Sequence, residues 1–238
     1  MRDFLDEALG EDGLARSVVV AATSDAPALV RLRAAYLATA IAEWFAEVEG
    51  REVLFLLDSL TRFARAQREV GLAAGEPPAR QGYPPSVFSA LPRLVERTGA
   101  RARGGITAVY TVLVAGGDME EPIADEVRGV VDGHVVLERS LAARGRFPAV
   151  DVLQSLSRLM PAVASEAHRA AAARVRALVA AYESQRDLIA LGAYRHGSDP
   201  RVDEAIDRMA AVEAFLAQGT RECAPFEETV NRLEELAR

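Results

Sequence analysis

A chain of 238 residues, half of them hydrophobic, is long enough to bury a core, as one large domain or as one domain with an appendage. Its formal net charge of -7 argues against a protein that wraps nucleic acid in a general positive field. All 28 basic residues are arginine, so chemistry that needs a lysine is excluded within the chain, whether a Schiff base or the ammonium of a phosphate loop of the form GxxxxGK followed by Ser or Thr. The single cysteine, Cys223, has no intrachain partner, and His134, His168 and His196 lack metal-ligand spacing. A reducing cytosolic setting is expected. No stretch has the length and apolarity of a membrane span, so a soluble protein is expected.

In chain order, residues 2–9 place Phe4, Leu5, Ala8 and Leu9 on one face and predict a short helix ended by Gly10 and Gly13. The β-branched run Ser17 to Thr23 reads as a buried strand of the parallel type. Ser24, Asp25 and Pro27 supply a cap and a first-position proline for a long helix, whose apolar positions Leu29, Leu32, Tyr36, Leu37, Ile41 and Phe45 recur as far as Gly50. Val53 to Leu57 is the next buried strand and Ser59 to Val70 the next helix. The order βαβα predicts a mostly parallel sheet flanked by helices, with function at the carboxyl ends of its strands. Asp58 stands at such an end.

Gly71 to Pro85, with three glycines and four prolines, reads as an exposed, semi-rigid loop. A helix is expected over 86–98, a basic turn through Arg97, Arg101 and Arg103, and a third buried strand over 106–114. An acidic turn, a short helix over 124–130 and a fourth strand over 134–137 follow. From Pro161 alanine, arginine and leucine dominate, and helices are expected near 165–192, 199–218 and 226–237, with Asp199 as cap and Pro200 at the first helical position. The expected division is 1–160, an α/β core, and 161–238, a small all-α domain.

A hydrophobic strand that ends in aspartate, VLFLLD, has the Walker B arrangement, in which the carboxylate orients Mg2+ and its waters beside a nucleoside triphosphate. Taken alone it equally describes an aspartate that caps a turn. The continuation DSLTRFARAQRE resembles the corresponding segment of the rotary-type ATPases of bacterial type III secretion and flagellar export. TSDAPALVRLRAAYLATAIAEWF, GLAAGEPPARQGYPPSVFSALPRLVER, the run from Ile106 to Pro161 and GSDPRVDEAI look like that family in order and spacing. The F-type catalytic subunit and the hexameric RNA translocase Rho share the architecture more distantly. The resemblance implies a RecA/F1-type core, joined from Walker B onward to a helical C-terminal domain.

Carried onto this sequence, the resemblance makes Asp58 the carboxylate that holds the Mg2+ shell through water. It makes Arg62 an arginine that reaches the γ-phosphate from the same subunit, where a guanidinium suits because it offers several donors and stays charged. Arg158, in LQSLSRLMP, matches the arginine finger inserted into a neighbouring subunit's site, which implies a homohexamer. Phe147 falls where the family stacks an aromatic ring on adenine; otherwise it is a core phenylalanine at a strand end. Gln81 and Tyr83 fall on a pore-side or intersubunit surface, or in a merely structural loop. The three histidines read as solvated or core residues, and Asp118, Glu120 and Glu121 as a solvated acidic face. Arg169, Arg174 and Arg176, spaced by alanine, need no nucleic acid to explain them.

The family's phosphate loop and its GER motif, whose glutamate activates the attacking water, lie before the strand at Ser17 and are not in this sequence. The expectation is therefore the C-terminal part of a secretion ATPase, arising by truncation or by initiation at an internal codon. It would not hydrolyse ATP alone, and its bare, partly apolar sheet edge would favour association. The implied cofactors are ATP and Mg2+. The implied partners are further copies of the chain, a stator-like regulator, the export gate, and secretion chaperones with their substrates. Nucleic acid is not among them. The implied location is the cytoplasmic face of the inner membrane, reached only through the export apparatus. The alternatives are a non-catalytic remnant that binds export partners, an F-type subunit, and the RNA translocase, which the acidic charge disfavours. GLAAGEPPARQGYPPSVFSALPRL fits flagellar and injectisome systems alike.

Overall fold

A computed structural model describes residues 4–238, and their packing separates them into two units, one ending at Val131 and the other beginning at Asp132. In the first unit Phe4–Leu9 winds with π-type spacing and continues as α1 (Gly10–Leu14). Gly10, at a φ of 62°, turns one segment into the next instead of ending the helix. Arg2 and Asp3 of the predicted helix lie outside the described residues.

The strand predicted over 17–23 is not one: the segment has no ladder partner and is largely exposed. A parallel strand is stable only against a neighbour, and among the described residues β1 (Glu52–Leu57) pairs with β3 (Gly105–Tyr110) alone. Composition made 17–23 look like a strand; without a neighbouring edge it stays an unpaired segment.

Helix α2 (Ala28–Glu47) starts with Pro27 at the N-cap and has no side-chain cap, so the predicted capping by Ser24 and Asp25 does not occur. It buries Leu32, Thr39, Ala42 and Ala46, while Leu29 and Leu37 are exposed. The helix is apolar nearly all round, so periodicity alone could not choose its inner face. The buried Thr39 hydroxyl is satisfied by donating to the Ala35 carbonyl, 2.9 Å away. After β1 come α3 (Leu60–Ala73), α4 (Pro85–Val95), β2 (Gly99–Ala100), β3 and α5 (Pro122–Val130). Strand β1 lies parallel to β3, from Glu52 opposite Gly105 to Leu57 opposite Tyr110, and β2 lies antiparallel to β3, giving the order β1-β3-β2. Phe55 on one face of β1 is buried, whereas Leu54, Leu56 and Val109 on the other are exposed.

Phe55 is seated by Ala42 and Ala46 of α2 and Ile106 of β3, and a larger core beside it is made by Leu60, Phe63, Val87, Leu91, Leu94 and Ile123, from α3, α4 and α5. Burying side chains of this kind contributes roughly 1.5–3 kcal/mol each. Helix α3 runs past the predicted end at Val70, and Gly71 is required there, because a Cβ would meet Pro84 at 2.9 Å.

The second unit holds β4 (Gly133–Leu137), α6 (Arg139–Ala143), β5 (Val150–Ser157), α7 (Met160–Val163), α8 (Glu166–Ala190), α9 (Pro200–Leu216) and α10 (Phe226–Leu236). Strands β4 and β5 are antiparallel, with an irregularity between His134 and Val136. Strand β5 was not predicted, because that bulge breaks the period of two that identifies a strand. The three long helices fall where the sequence put them. Ser165 caps α8 by accepting from the His168 amide, and Asp199 caps α9 with Pro200 in its first turn. Val175, Val179, Met209 and Val212 form their core, with Val152 and Leu153 of β5 packed on it. No helix among the described residues is long and apolar enough to cross a membrane.

Candidate functional site

The site is built where β1 stops. Its last residue, Leu57, accepts a hydrogen bond from the Thr111 amide at 3.1 Å, and Thr111 returns its carbonyl to the Leu60 amide at 2.9 Å. The segment after β3 therefore pairs with the turn that opens α3, which is why the strand predicted over 106–114 ends at Tyr110. The Leu113 amide donates to the Thr61 hydroxyl at 2.8 Å, and Thr61 is fully buried. Ser59 is the N-cap of α3, its hydroxyl accepting from the Arg62 amide at 3.2 Å. The Asp58–Ser59 peptide is cis.

These bonds fix Asp58 at a strand tip and Arg62 one helical turn on, both solvent-exposed. The Thr111 hydroxyl donates to Asp58 Oδ1 at 2.8 Å, so one carboxylate oxygen is anchored from the neighbouring strand. Sequence reading missed Thr111; its only signal was a hydroxyl residue inside the apolar run ITAVYTVLV. No group of three or more His, Cys, Asp or Glu side chains that could hold a metal ion occurs among the described residues. A single anchored carboxylate fits Mg2+, which keeps waters and substrate oxygens and takes only one or two protein carboxylates.

Phe147 and Arg158 belong to the second unit, at the two ends of β5. Phe147 is 55% exposed, so it is not a core residue. The Phe147–Pro148 peptide is cis, and the Phe147 carbonyl accepts from the Gln218 amide at 2.8 Å. Arg146, beside it, donates to the Val150 carbonyl at 2.7 Å. Arg158 immediately follows β5 and is exposed; its amide donates to the Asp132 carbonyl at 2.8 Å. The ends of β5, Ser157 and Val150, stand opposite Gly133 and Leu137, only four residues apart on β4, so the bulge shortens the strand to roughly 13 Å between its ends.

Within β5, Asp151 organises the bulge. Burial pushes its carboxyl up, but hydrogen bonds from the Gln154 side chain and from the Gln154 and Leu153 amides, with the Arg146 charge, outweigh that and hold its pKa below the ordinary value.

Tyr83 lies in the core, 6% exposed, with the Arg68 guanidinium 5.4 Å over its ring, so of its two readings the structural one fits. Gln81 is exposed and takes the left-handed conformation, φ 46°. His134 Nε2 bonds the Gln154 carbonyl, His168 lies edge-on to Phe226, and His196 stands 3.6 Å from Asp203. In the acidic turn, Asp118 accepts from the Glu120 amide and Glu121 from the Ala115 amide. Arg174 pairs with Glu204, while Arg169 and Arg176 donate to backbone carbonyls.

Comparison with known proteins places this geometry among relatives. Residues 1–157 match the family model of the ATP synthase alpha/beta family, nucleotide-binding domain, and residues 164–235 match that of the T3SS EscN ATPase C-terminal domain. The flagellum-specific ATP synthase of Bacillus subtilis is 56% identical over 99% of the chain and 54% of its own length. The assembled ATPase EscN of the enteropathogenic E. coli type III secretion system is 46% identical, with a TM-score of 0.93 over 97% of this chain and 56% of that one. EscN in complex with its central stalk EscO, also 46% identical, gives a TM-score of 0.88 over 96% of this chain and 54% of that one. The chain thus spans about half the length of the curated relatives it matches.

Proposed function

The chain belongs to the ATP synthase alpha/beta family, and from that membership we infer that it is the C-terminal part of an ATPase that energises type III protein secretion, in an injectisome or in flagellar export. In this reading ATP is hydrolysed with Mg2+ in a ring of six identical subunits at the cytoplasmic face of the inner membrane. The work strips and unfolds substrates held by secretion chaperones and feeds them to the export gate, with a stator-like regulator or stalk as a further partner. Relatives named for flagellar and for type III secretion support it, as does the solved complex of EscN with its stalk. The reading divides the chain at 160/161 into the core and the helical domain, close to the limits of the two family matches.

The observation that carries it is the Asp58 carboxylate, pinned by Thr111 at the tip of a parallel strand, with Arg62 in the next helical turn. Mg2+, when bound, spreads the charge of the phosphates and lowers the barrier to transfer. Asp58 would accept hydrogen bonds from the waters of that ion. Arg62 would offer its planar donors to the γ-phosphate of the same subunit. Arg158 would neutralise transferring charge in the neighbour's site, and the exposed Phe147 would stack on adenine. A phosphate-binding lysine is lacking, so the chain by itself is proposed to be silent.

The experiment joins this chain to the half of the Bacillus subtilis relative that it does not cover. Magnesium-dependent ATP turnover is expected from the fusion and not from the 238-residue chain. Asp58→Ala and Arg158→Ala should each reduce it by about a thousandfold. Turnover by the chain alone, or fusions indifferent to both substitutions, would refute the reading.

A further inference from the structure

We propose that Arg176, seconded by Arg169, is a positioning residue that fixes the backbone on both sides of Arg158, so that helix α8 of the C-terminal helices sets where that arginine stands. The proposal rests on the reading of Arg158 as the arginine that serves a neighbouring subunit's nucleotide.

Among the described residues strand β5 pairs with β4 alone, and its middle is bulged. Asp151 takes the amides of Leu153 and Gln154, and the Ser155 hydroxyl donates to the Asp151 carbonyl while accepting from the Val136 amide. In a regular strand successive carbonyls point to opposite sides. The bulge instead turns those of Val152, Leu153 and Ser155 toward one point, and the Arg176 guanidinium occupies it. Its Nη1 donates to the Val152 carbonyl and, at 3.2 Å, to that of Ser155; its Nη2 donates to the Leu153 carbonyl at 3.2 Å. Three carbonyls reached from two nitrogens held side by side suit the five-donor fork of arginine, which keeps Nη1 and Nη2 in a fixed relation.

Beyond Arg158, the Arg169 Nη1 donates to the Pro161 carbonyl at 2.6 Å. At the residue itself, the Arg158 amide is held by the Asp132 carbonyl. Arg169 and Arg176 stand seven residues apart, two turns along one face of α8. Arg174 and Arg186 on the same helix pair with glutamates, whereas these two are bonded to backbone on either side of the segment 156–160, which carries Arg158. The bulge, the carbonyl fan and the second arginine downstream are together what a clamp on Arg158 requires. Loops that carry transition-state charge gain most from such holding, because a displacement of about 1 Å can cost on the order of a hundredfold in rate.

Two measurements test it. In a Cys223→Ser background, an Arg158→Cys variant of the chain carries a nitroxide label, whose line shape reports the order of the backbone at that position. Arg176→Ala should shorten the label's correlation time about twofold and Arg176→Lys should do so in part, since one ammonium nitrogen then replaces the two guanidinium nitrogens that reach the three carbonyls. A label at Arg201→Cys on α9 should not respond. In the fused enzyme, Arg176→Ala should lower kcat by about tenfold to a hundredfold with little change in KM for ATP, and should add nothing in an Arg158→Ala background. An unchanged label overturns the clamp. An equal loss of kcat with and without Arg158 overturns the positioning role in favour of a general structural one. If Arg158→Ala leaves turnover intact, the functional reading of Arg158 fails and with it the role in catalysis, while the label still decides whether the clamp exists.

Discussion

At Thr111 a hydroxyl on the end of one parallel strand decides the posture of a carboxylate on the end of the next. Thr111→Val keeps the shape and removes the bond to Asp58, so the fold should lose only about 1 kcal/mol. In the fused enzyme the Mg2+ concentration for half-maximal turnover should rise severalfold, which a magnesium titration reads. Asp151 makes a second prediction at this scale. Its folded pKa lies below the ordinary value of 3.8, so its contribution to stability is fully present above that value and disappears as pH falls through the folded pKa. Asp151→Asn should therefore lower stability by about 1 kcal/mol near pH 6, after allowance for partial exposure, and by less near pH 2.5. Urea melts at the two pH values check it. Arg62 adds the converse lesson: its amide is fixed by Ser59, so the first turn of α3 places the arginine through its backbone.

At the scale of elements, caps and cores can be probed separately. Ser165→Ala removes the bond to the His168 amide that opens α8 and should cost about 1 kcal/mol. Leu94→Ala empties a fully buried site in the first unit and should cost roughly 2–5 kcal/mol. Calorimetry on the two variants should place the losses in different transitions if the two units melt independently. The helices that were legible in the sequence carried their own signals: Ser59 before an apolar period, Ser165 before alanine, and Asp199 followed by Pro200. The strand tip at Asp58 was legible for the same reason, since Walker B chemistry sits in one contiguous run. Contacts between distant segments left no such mark. Thr111 lies 53 residues from Asp58, and Arg176 meets Leu153 across 23 residues. Strand β5 was hidden by its bulge, and 17–23 was overcalled because β-branched composition does not say whether a neighbouring strand exists.

On the scale of the molecule, β1 has no strand partner on its outer edge among the described residues, and Leu54, Leu56 and Val109 leave one face of its sheet apolar and exposed. Such an edge promotes association. The chain should therefore show concentration-dependent oligomers by light scattering, and Leu54→Glu with Leu56→Glu should disperse them with the helix content intact. The same surface bears on how the relatives' other half would complete the fold, because a parallel strand with one bare edge accepts a further strand at little cost in register. On the proposed function, the nucleotide site is assembled from two copies, Asp58 and Arg62 from one and Arg158 from the next. This central claim is tested most directly by mixing the fused Asp58→Ala and Arg158→Ala proteins, each inactive alone. Recovery of ATP turnover on mixing is expected, since an interface with an intact Asp58 on one side and an intact Arg158 on the other then forms. A mixture no more active than its parts, with both variants shown to co-assemble, would contradict the claim.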